Sequence, residues 1–446
     1  MKYKRYPKVK DSGVEGIGDI PEGWEIRKIK FTSYVKGRIG WQGLTSEEYI
    51  EEGPYLITGT DFKDGKINWK SCHHVEQWRY EQDPYIQIKN NDILITKDGT
   101  IGKIAFVEDV PGDATLNTGV LVVRPLNNSI LPKFQNWIFN SRLFIDFIEF
   151  IKSGTTINHL YQEEFGKFTF PVPPIDQQEQ IYDFLENKTT QFDELIAKSK
   201  AQITLLEEKK QATINQAVTK GLDPSVPMKD SGVEWIGEIP EEWEVRKLKQ
   251  IGYLKAGGTP FRSNSLYWND GIIPWISSGE VNYSTITSSR EKITKLGLEK
   301  SSATKFPIGT VLVAITGEGK TRGQSAILEI EAATNQSVIG IVHDKKIIHN
   351  SFLFLYFQSQ YLPLRNYSHG SVQSGLNLEI LKNYPIVLPT TIKEQTQIFE
   401  FLKKQTIQFD ELIAKSKTQI TLLQEKRQAL ITAAVTGKID VRGRVA

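Results

Sequence analysis

Sixteen residues near the middle of the chain, Gln191 to Leu206 (QFDELIAKSKAQITLL), recur as Gln408 to Leu423 (QFDELIAKSKTQITLL) with one difference, Ala201 against Thr418. A repeat this close means the chain is built twice, so its fold must consist of two equivalent halves. With its upstream lead, the first copy places apolar residues at Ile181, Leu185, Phe192, Ile196, Ile203 and Leu206. These steps of about 3, 4 and 7 put one stripe on one helix face. The second copy repeats the stripe at Ile398, Leu402, Phe409, Ile413, Ile420 and Leu423. Pro173 and Pro174 stop a helix upstream of the first copy, and Gly221 with Pro224 closes it. The spacing therefore predicts a helix of about forty residues, on the order of 60 Å, in each half. Such a helix needs a partner for its stripe, and the expected partner is the other copy, packed antiparallel about a pseudo-two-fold axis.

Identity between the copies extends to polar positions. Lys198, Ser199, Lys200 and Gln202 return as Lys415, Ser416, Lys417 and Gln419. A coiled-coil seam does not require that. Two readings fit: a recent duplication with little drift, or two helices presenting one outer face to two copies of the same partner protein. Lys198, Lys200, Gln202, Lys415, Lys417 and Gln419 are accordingly the candidate partner contacts. The segments between the helices share position but little identity, so drift has not been uniform.

The duplication covers a whole unit, because the opening block Lys10 to Lys30 (KDSGVEGIGDIPEGWEIRKIK) returns as Lys229 to Lys249 (KDSGVEWIGEIPEEWEVRKLK). Trp24 and Trp243 read as core anchors. The organisation expected is a leader over 1–22, a first variable domain over 23–174, a helix over 175–220, a linker with repeated leader over 221–239, a second variable domain over 240–391, a second helix over 392–436 and a tail. Short strands are expected in the first domain at Tyr55–Thr58, Asp92–Thr96, Lys103–Val107 and Gly119–Val123. In the second they fall at Pro274–Ser277, Thr310–Ile315, Ser325–Leu328 and Ser337–Val342. A helical run follows in each, Phe134–Phe150 and Ser351–Tyr361, then a Gly-containing turn and a strand into proline, Ser153–Pro174 and His369–Pro389. The class is α+β, with curled mixed sheets. Turn residues also register across the halves: LITKDGTIGK (Leu94 to Lys103) aligns with VAITGEGKTRGQ (Val313 to Gln324), and TLNTG (Thr115 to Gly119) with ATNQS (Ala333 to Ser337). A shared scaffold carrying different loops is what two binding domains tuned to different targets present.

The 446 residues, 39% hydrophobic and 24% charged, are ordinary for a globular chain. No run approaches the ~18 apolar residues of a membrane span, and MKYKRYPKVKDSG lacks a signal-peptide core, so a cytoplasmic location is expected. The single cysteine, Cys72, excludes an internal disulfide and argues against a thiolate metal site. Its neighbours His73 and His74 are too close in sequence to converge readily on one ion. Residues 23–174 hold 17 Lys plus Arg against 19 Asp plus Glu, and residues 240–391 hold 16 against 12. A nucleic-acid footprint must then lie in particular loops rather than on a basic domain.

GEGKT (Gly317 to Thr321), after the apolar strand VLVAI, resembles the end of a phosphate-binding loop, but Ala314 stands where the pattern needs its first glycine. A tight turn presenting Lys320 and Arg322 is the better account. No nucleophile, acid–base pair or cofactor loop can be argued from spacing, so the chain reads as non-catalytic. The loops do hold residues suited to base edges: Lys97, Lys103 and Asn117 in the first half, and Arg262, Lys320, Arg322, Gln324, Asn335 and Gln336 in the second. Arg or Lys suits guanine O6 and N7, and Asn or Gln suits adenine N6 and N7.

Taken together, the KDSGVEWIGEIPEEWEVRKLK leader, GDIPEGWEIRKIK, DILITKDGTIGK, the GGTP then YWNDGIIPWI run (Gly257 to Ile276) and the QFDELIAKSK helices resemble the specificity subunit of type I restriction-modification enzymes. The resemblance runs over essentially the whole chain. It implies two target recognition domains separated by two conserved spacer helices, reading a two-part sequence in double-stranded DNA whose gap is fixed by helix length. It implies as partners two modification subunits, which take a methyl group from S-adenosylmethionine to adenine, and restriction subunits that use ATP with Mg. No cofactor is expected in this chain. The likeness lies in scaffold turns, so it transfers no base-reading residue.

Overall fold

The apolar runs expected at Asp92–Thr96 and Thr310–Ile315 form inner strands of their sheets and are buried on both faces, which is why they read as unbroken hydrophobic stretches. The computed structural model describes residues 3–39, 43–153, 159–317, 319–367 and 376–443. The turns expected within Ser153–Pro174 and His369–Pro389 lie partly outside them. The chain divides into two units: Met1–Lys200 with Thr418–Ala446, and Ala201–Lys417.

In unit 1 the labelled strands are β1 (Ser33–Gly37), β2 (Ile50–Ile57), β3 (His73–His74), β4 (Ile93–Thr96), β5 (Ile104–Phe106), β6 (Ala114–Leu116) and β7 (Val120–Pro125). An antiparallel sheet runs β5-β4-β7-β1, and a second runs β6-β2-β3 with β6 parallel to β2. Alternation along β4 and β7 sends Ile93, Ile95, Leu121 and Val123 into one core and Leu94, Val120 and Val122 into another, shared with Ile57 and Leu116. The first core also holds Trp24 from the leader, Ile181 and Leu185 from α3 (Ile175–Lys220), and Ile431 and Val435 from the final helix, Ile392–Val435.

The helix expected over Phe134–Phe150 is two helices, α1 (Pro132–Phe139) and α2 (Arg142–Ser153). The break falls at Asn140 and Ser141. Asn140 Nδ2 donates to the Asn136 carbonyl at 2.8 Å, and Ser141 Oγ to that of Ile138 at 2.6 Å. Short polar side chains of this kind compete with the helix backbone. The freed Asn140 carbonyl accepts from Gln428 Nε2 at 2.9 Å.

Unit 2 repeats the plan. Its strands are β8 (Gly252–Ala256), β9 (Ile273–Ile276), β10 (Thr285–Ile286), β11 (Glu291–Ile293), β12 (Lys305–Phe306), β13 (Val311–Ala314), β14 (Ser325–Leu328), β15 (Ala332–Thr334) and β16 (Val338–His343). They form the sheets β8-β16-β13-β14-β10 and β11-β9-β15-β12, with β9 parallel to β15 and β10 parallel to β14. The expected helix Ser351–Tyr361 is α4 (Asn350–Ser359), broken at Gln360 and followed by α5 (Tyr361–Asn366). The last helix, Ile392–Val435, is α6. Val311, Val313, Ile339 and Ile341 join a core with Trp243, Ile214 and Val218 of α3, and Ile398 and Leu402 of α6.

Both long helices are present, of 46 and 44 residues, and α3 ends against Gly221 at φ +77°. The stripe residues Ile181, Leu185, Ile196, Ile398, Leu402 and Ile413 are buried. Identity at Ser199 and Ser416 has a packing origin: both are buried and bond back to Leu195 and Leu412 carbonyls at 2.9 and 3.0 Å. In unit 1 Arg427 pairs with Asp193 at 3.0 Å, and in unit 2 Lys210 pairs with Asp410 at 2.7 Å, the repeat-equivalent positions. Such exposed pairs contribute under about 1 kcal/mol each.

Stronger ties lie where each long helix begins. The indole N–H of Trp24 donates to Gln177 Oε1 at 2.9 Å, and that of Trp243 to Glu394 Oε1 at 3.0 Å. Gln178, fully buried, accepts from Leu131 N at 2.8 Å and donates to the Ser129 and Pro173 carbonyls at 2.8 and 2.9 Å. Gln395 does the same in unit 2, with His349 N, Ile347 O and Pro389 O. Leucine would keep the volume and orphan three backbone groups. Gln178→Leu should lower unit 1 stability by about 3 kcal/mol, read from the urea midpoint; an unchanged midpoint would show that water replaces the side chain.

Candidate nucleic-acid interface

The diverged residues of both units gather where the central strands turn. In unit 1, β4 passes into β5 through Lys97–Lys103. Thr96 N donates to Lys103 O at 3.0 Å, Lys103 N donates to Thr96 Oγ1 at 2.9 Å, and Lys97 N donates to Gly119 O at 2.8 Å. Asn117 N donates to Ile57 O at 2.9 Å, at the carboxyl end of the parallel pair β2·β6. Lys97, Lys103 and Asn117 therefore share one loop cluster. Lys103 is exposed and Lys97 half-buried. The amide of Asn117 braces the loop at Leu44, accepting from its N at 3.4 Å and donating to its O at 3.5 Å. Beside Lys97, Asp98 is paired with His159 Nδ1, and an isolated bridge joins their backbones.

Unit 2 reproduces the frame. Ala314 N donates to Gln324 O at 2.9 Å, Ile315 N to Ser337 O at 2.9 Å, and Asn335 N to Ile276 O at 3.0 Å. Gln324 thus stands where unit 1 has Lys103, Asn335 where it has Asn117, and Ile315 where it has Lys97. Asn335 Oδ1 accepts from Ser337 N at 3.1 Å, and Gln336 Oε1 from Thr259 Oγ1 at 2.5 Å.

Antiparallel β13 and β14 flank the GEGKT stretch, so the element that follows it is a strand and not a helix whose N-terminus could hold a phosphate. Gly323 and its counterpart Gly102 are required by the turn. Both have positive φ, +89° and +83°, and a Cβ would meet Arg365 Cγ at 3.1 Å or Ile148 Cγ2 at 3.0 Å.

The α5 helix holds the loop. Arg365 Nη1 donates to the carbonyls of Gly319 and Arg322 at 2.9 and 2.8 Å, and Tyr361 Oη to that of Lys320 at 2.8 Å. Lys320 is exposed. Arg322 is half-buried, and its Nε finds no hydrogen-bond partner among the described residues. The sequence offered no signal for Arg365 or Tyr361, which are over 40 residues from the loop they anchor.

Arg262 lies apart from this turn. It makes a two-pronged pair with Glu291 on β11, at 2.5 and 3.0 Å, and stacks over Trp268 and Trp275 at 3.9 and 4.8 Å from the ring centres. Its hydrogen bond holds the Glu291 carboxyl below the usual carboxylate range. Phe261 next to it is 72% exposed.

Cys72, His73 and His74 do not converge. The thiol is buried, which pushes its pKa up to about 12; the His73 ring stacks on Tyr49 at 4.2 Å; and His74 Nδ1 meets Gly53 O at 2.7 Å. The six partner candidates on the helices, Lys198, Lys200, Gln202, Lys415, Lys417 and Gln419, are all exposed. Each unit therefore presents a backbone-braced platform carrying amides and cations of different identity, the groups that recognise base edges and phosphates.

Comparison with known proteins gives a consistent picture. The family model for the type I restriction modification DNA specificity domain matches twice, over residues 21–205 and 240–422. The chain is 27% identical over 439 residues to the type I restriction enzyme MjaVIII specificity subunit of Methanocaldococcus jannaschii, covering 95% of this chain and 94% of that one. Among solved structures, a chain from a type I R-M system studied for complex assembly and conformational transition superposes with a TM-score of 0.72 at 16% identity, covering 94% of this chain and 99% of that one. The HsdS subunit from Thermoanaerobacter tengcongensis gives 0.54 at 16%, covering 95% and 100%.

The α5 anchor supplies a local test. Arg365→Ala removes the bonds to Gly319 and Arg322, and limited trypsin digestion should then cut after Lys320 and Arg322 several-fold faster than in the wild type. Equal rates would mean that the loop is held by other contacts.

Proposed function

The chain belongs to the type I restriction-modification DNA specificity family, and on that premise we propose how it divides its work. It is a specificity subunit, the DNA-recognition component of a type I restriction-modification complex, with a target recognition domain in each unit. Each unit reads one half of a bipartite double-stranded target. The half-sites differ because Lys97 and Lys103 in unit 1 are matched by Ile315 and Gln324 in unit 2, while Asn117 and Asn335 supply the same amide, with Lys320, Arg322 and Gln336 nearby and Arg262 on a separate strand pair. The observation that carries this reading is the conserved backbone frame around unlike side chains.

The division of labour extends to the partners. Two modification subunits bind the exposed repeat positions Lys198, Lys200 and Gln202, and Lys415, Lys417 and Gln419. Restriction subunits join that complex. The chain itself performs no catalysis and holds no cofactor; S-adenosylmethionine, ATP and Mg belong to the partner subunits. No helix among the described residues is long and apolar enough to cross a membrane, and the DNA target and these partners place the chain's work in the cytoplasm.

Mapping methylated adenines in DNA exposed to this chain with its modification subunit tests the reading. Exchanging residues 23–174 for the matching segment of a relative should change one half of the mapped target and leave the other intact. A change in both halves would sink independent reading. Inserting four residues after Leu206, one turn and ~6 Å of helix, should lengthen the preferred gap by roughly two base pairs. An unaltered gap would show that the helices do not set it.

A further inference from the structure

Each unit holds one main-chain carbonyl in the same place, and the two do it by different means. Strand register pairs Leu116 with Ile57 in unit 1 and Thr334 with Ile276 in unit 2, so Leu116 and Thr334 are equivalent, and each directly precedes a loop asparagine, Asn117 or Asn335. In unit 1 the Leu116 carbonyl accepts from Arg38 Nε at 2.7 Å. In unit 2 the Thr334 carbonyl accepts from the main-chain N–H of Gly258 at 2.8 Å. Gly37 on β1 pairs with Leu121, and Ala256 on β8 pairs with Ile339, each partner standing four residues after its asparagine. Arg38 therefore takes the place of Gly257, and Ile39 that of Gly258.

The glycines are what let the main chain of unit 2 come so close. A Cβ on Gly257 would meet the Thr334 carbonyl oxygen at 2.2 Å and Oγ1 at 2.1 Å, and one on Gly258 would meet Ser302 Oγ at 2.2 Å. Trp275 Nε1 fixes the far side of that turn, donating to Gly258 O at 3.0 Å. Unit 1 has side chains at both places, and the guanidinium of Arg38 reaches across instead. Its Nη2 donates to Thr115 Oγ1 at 3.0 Å and to Arg79 O at 3.4 Å, and its Nη1 to Gln82 Oε1 at 3.4 Å.

Arg38 is a costly choice for that task. It is 1% exposed, and its acceptors are all neutral: two carbonyls, a hydroxyl and an amide. Among the described residues no carboxylate pairs with it, and the nearby Glu48 is taken by Arg79. Burial draws the guanidinium pKa below the ordinary arginine value. A charge enclosed without a counter-charge works against stability, and an apolar side chain of similar length would fill the same space at less cost. What an apolar side chain could not do is grip Thr115 and Leu116, the last two residues of β6, and through them set Asn117.

We propose that Arg38 in unit 1 and the pair Gly257 and Gly258 in unit 2 are positioning residues for base reading, each fixing the strand end that aims Asn117 or Asn335 at DNA. This rests on the functional reading above, because it takes the two asparagines as readers of the two half-sites. Arg38 touches no base itself, being enclosed, and the glycines have no side chain to offer. Each clamp governs one half of the target only.

The test is methylation of single-base variants of the mapped target by the chain with its modification subunit. Arg38→Met keeps most of the bulk and drops every hydrogen bond; it should reduce discrimination about tenfold at one base of the unit 1 half and leave the other half as in the wild type. Asn117→Ala should relax that same base, and the double variant should relax it no further than Asn117→Ala alone. Gly257→Ala must push the main chain off Thr334, and it should relax one base in the unit 2 half only. Thr115→Val keeps the guanidinium and removes one of its bonds, so it carries the test if Arg38→Met fails to assemble; it should relax the unit 1 base about threefold. Wild-type discrimination in the Arg38 and Thr115 variants overturns the proposal alone. So does a loss spread evenly over every base of a half-site, which would make the clamp a folding contact, or a relaxed base other than the one Asn117→Ala affects. A wild-type complex that methylates without base preference overturns the functional reading and this proposal together.

Discussion

Neither core of this protein can close from its local sequence. Unit 1 buries Ile181 and Leu185 from the start of α3 together with Ile431 and Val435 from the end of α6, and unit 2 buries Ile214, Val218, Ile398 and Leu402 in the same way. A helix with a single apolar stripe gains little stability alone, since nucleation is costly and propagation in water is close to neutral. Its stability comes from the aromatic and aliphatic side chains that cover the stripe. The long helices and the α/β domains therefore stabilise one another, and the burial of Trp24 and Trp243 at the helix starts locks each leader into the same core.

That dependence explains where sequence identity has been kept and where it has been lost. Positions that tie a long helix into its own unit recur as matched sets: the two tryptophans, the pair Gln178 and Gln395, and the two ion pairs. Buried polar groups such as these glutamines are costly when half satisfied, so all three of their bonds must be retained together. The turns beyond the strands face a different constraint. Their backbone bonds to neighbouring strands fix the conformation, and side chains that point away from that frame can differ freely between Lys103 and Gln324.

The same logic bears on unequal halves. A duplicated chain need not remain symmetric in its packing, because one substitution at a turn can fill a space that its sister leaves open. Gly16 and Trp235 occupy the same turn of the same leader, and the aromatic pairs beneath them, Phe147 with Phe168 and Tyr367 with Tyr384, are preserved. Small changes at the edge of a packed aromatic cluster have large effects, since rings bury much area and tolerate few alternative placements.

Much was legible in the sequence because periodicity and punctuation are local. The 3.6-residue stripe, the Pro173–Pro174 stop and the Gly221 close located α3, and apolar runs at Asp92–Thr96 and Thr310–Ile315 located the central strands. The α+β class and the two-fold plan followed from the repeats. Other features depended on the tertiary structure. The breaks at Asn140 and Gln360 end two expected helices, the first because short polar side chains bond back to the backbone and the freed carbonyl is taken up by Gln428, nearly 300 residues away. The burial of Ser199 showed that one conserved polar position is a packing site. The candidate interface was legible only as a list of residue types. That Asn117 braces Leu44, that Arg262 is held by Glu291 and two tryptophans, and that Arg365 anchors the Lys320 loop are facts of long-range packing. Residue spacing cannot contain them, because side-chain partners are chosen by the folded chain's geometry and not by proximity along it.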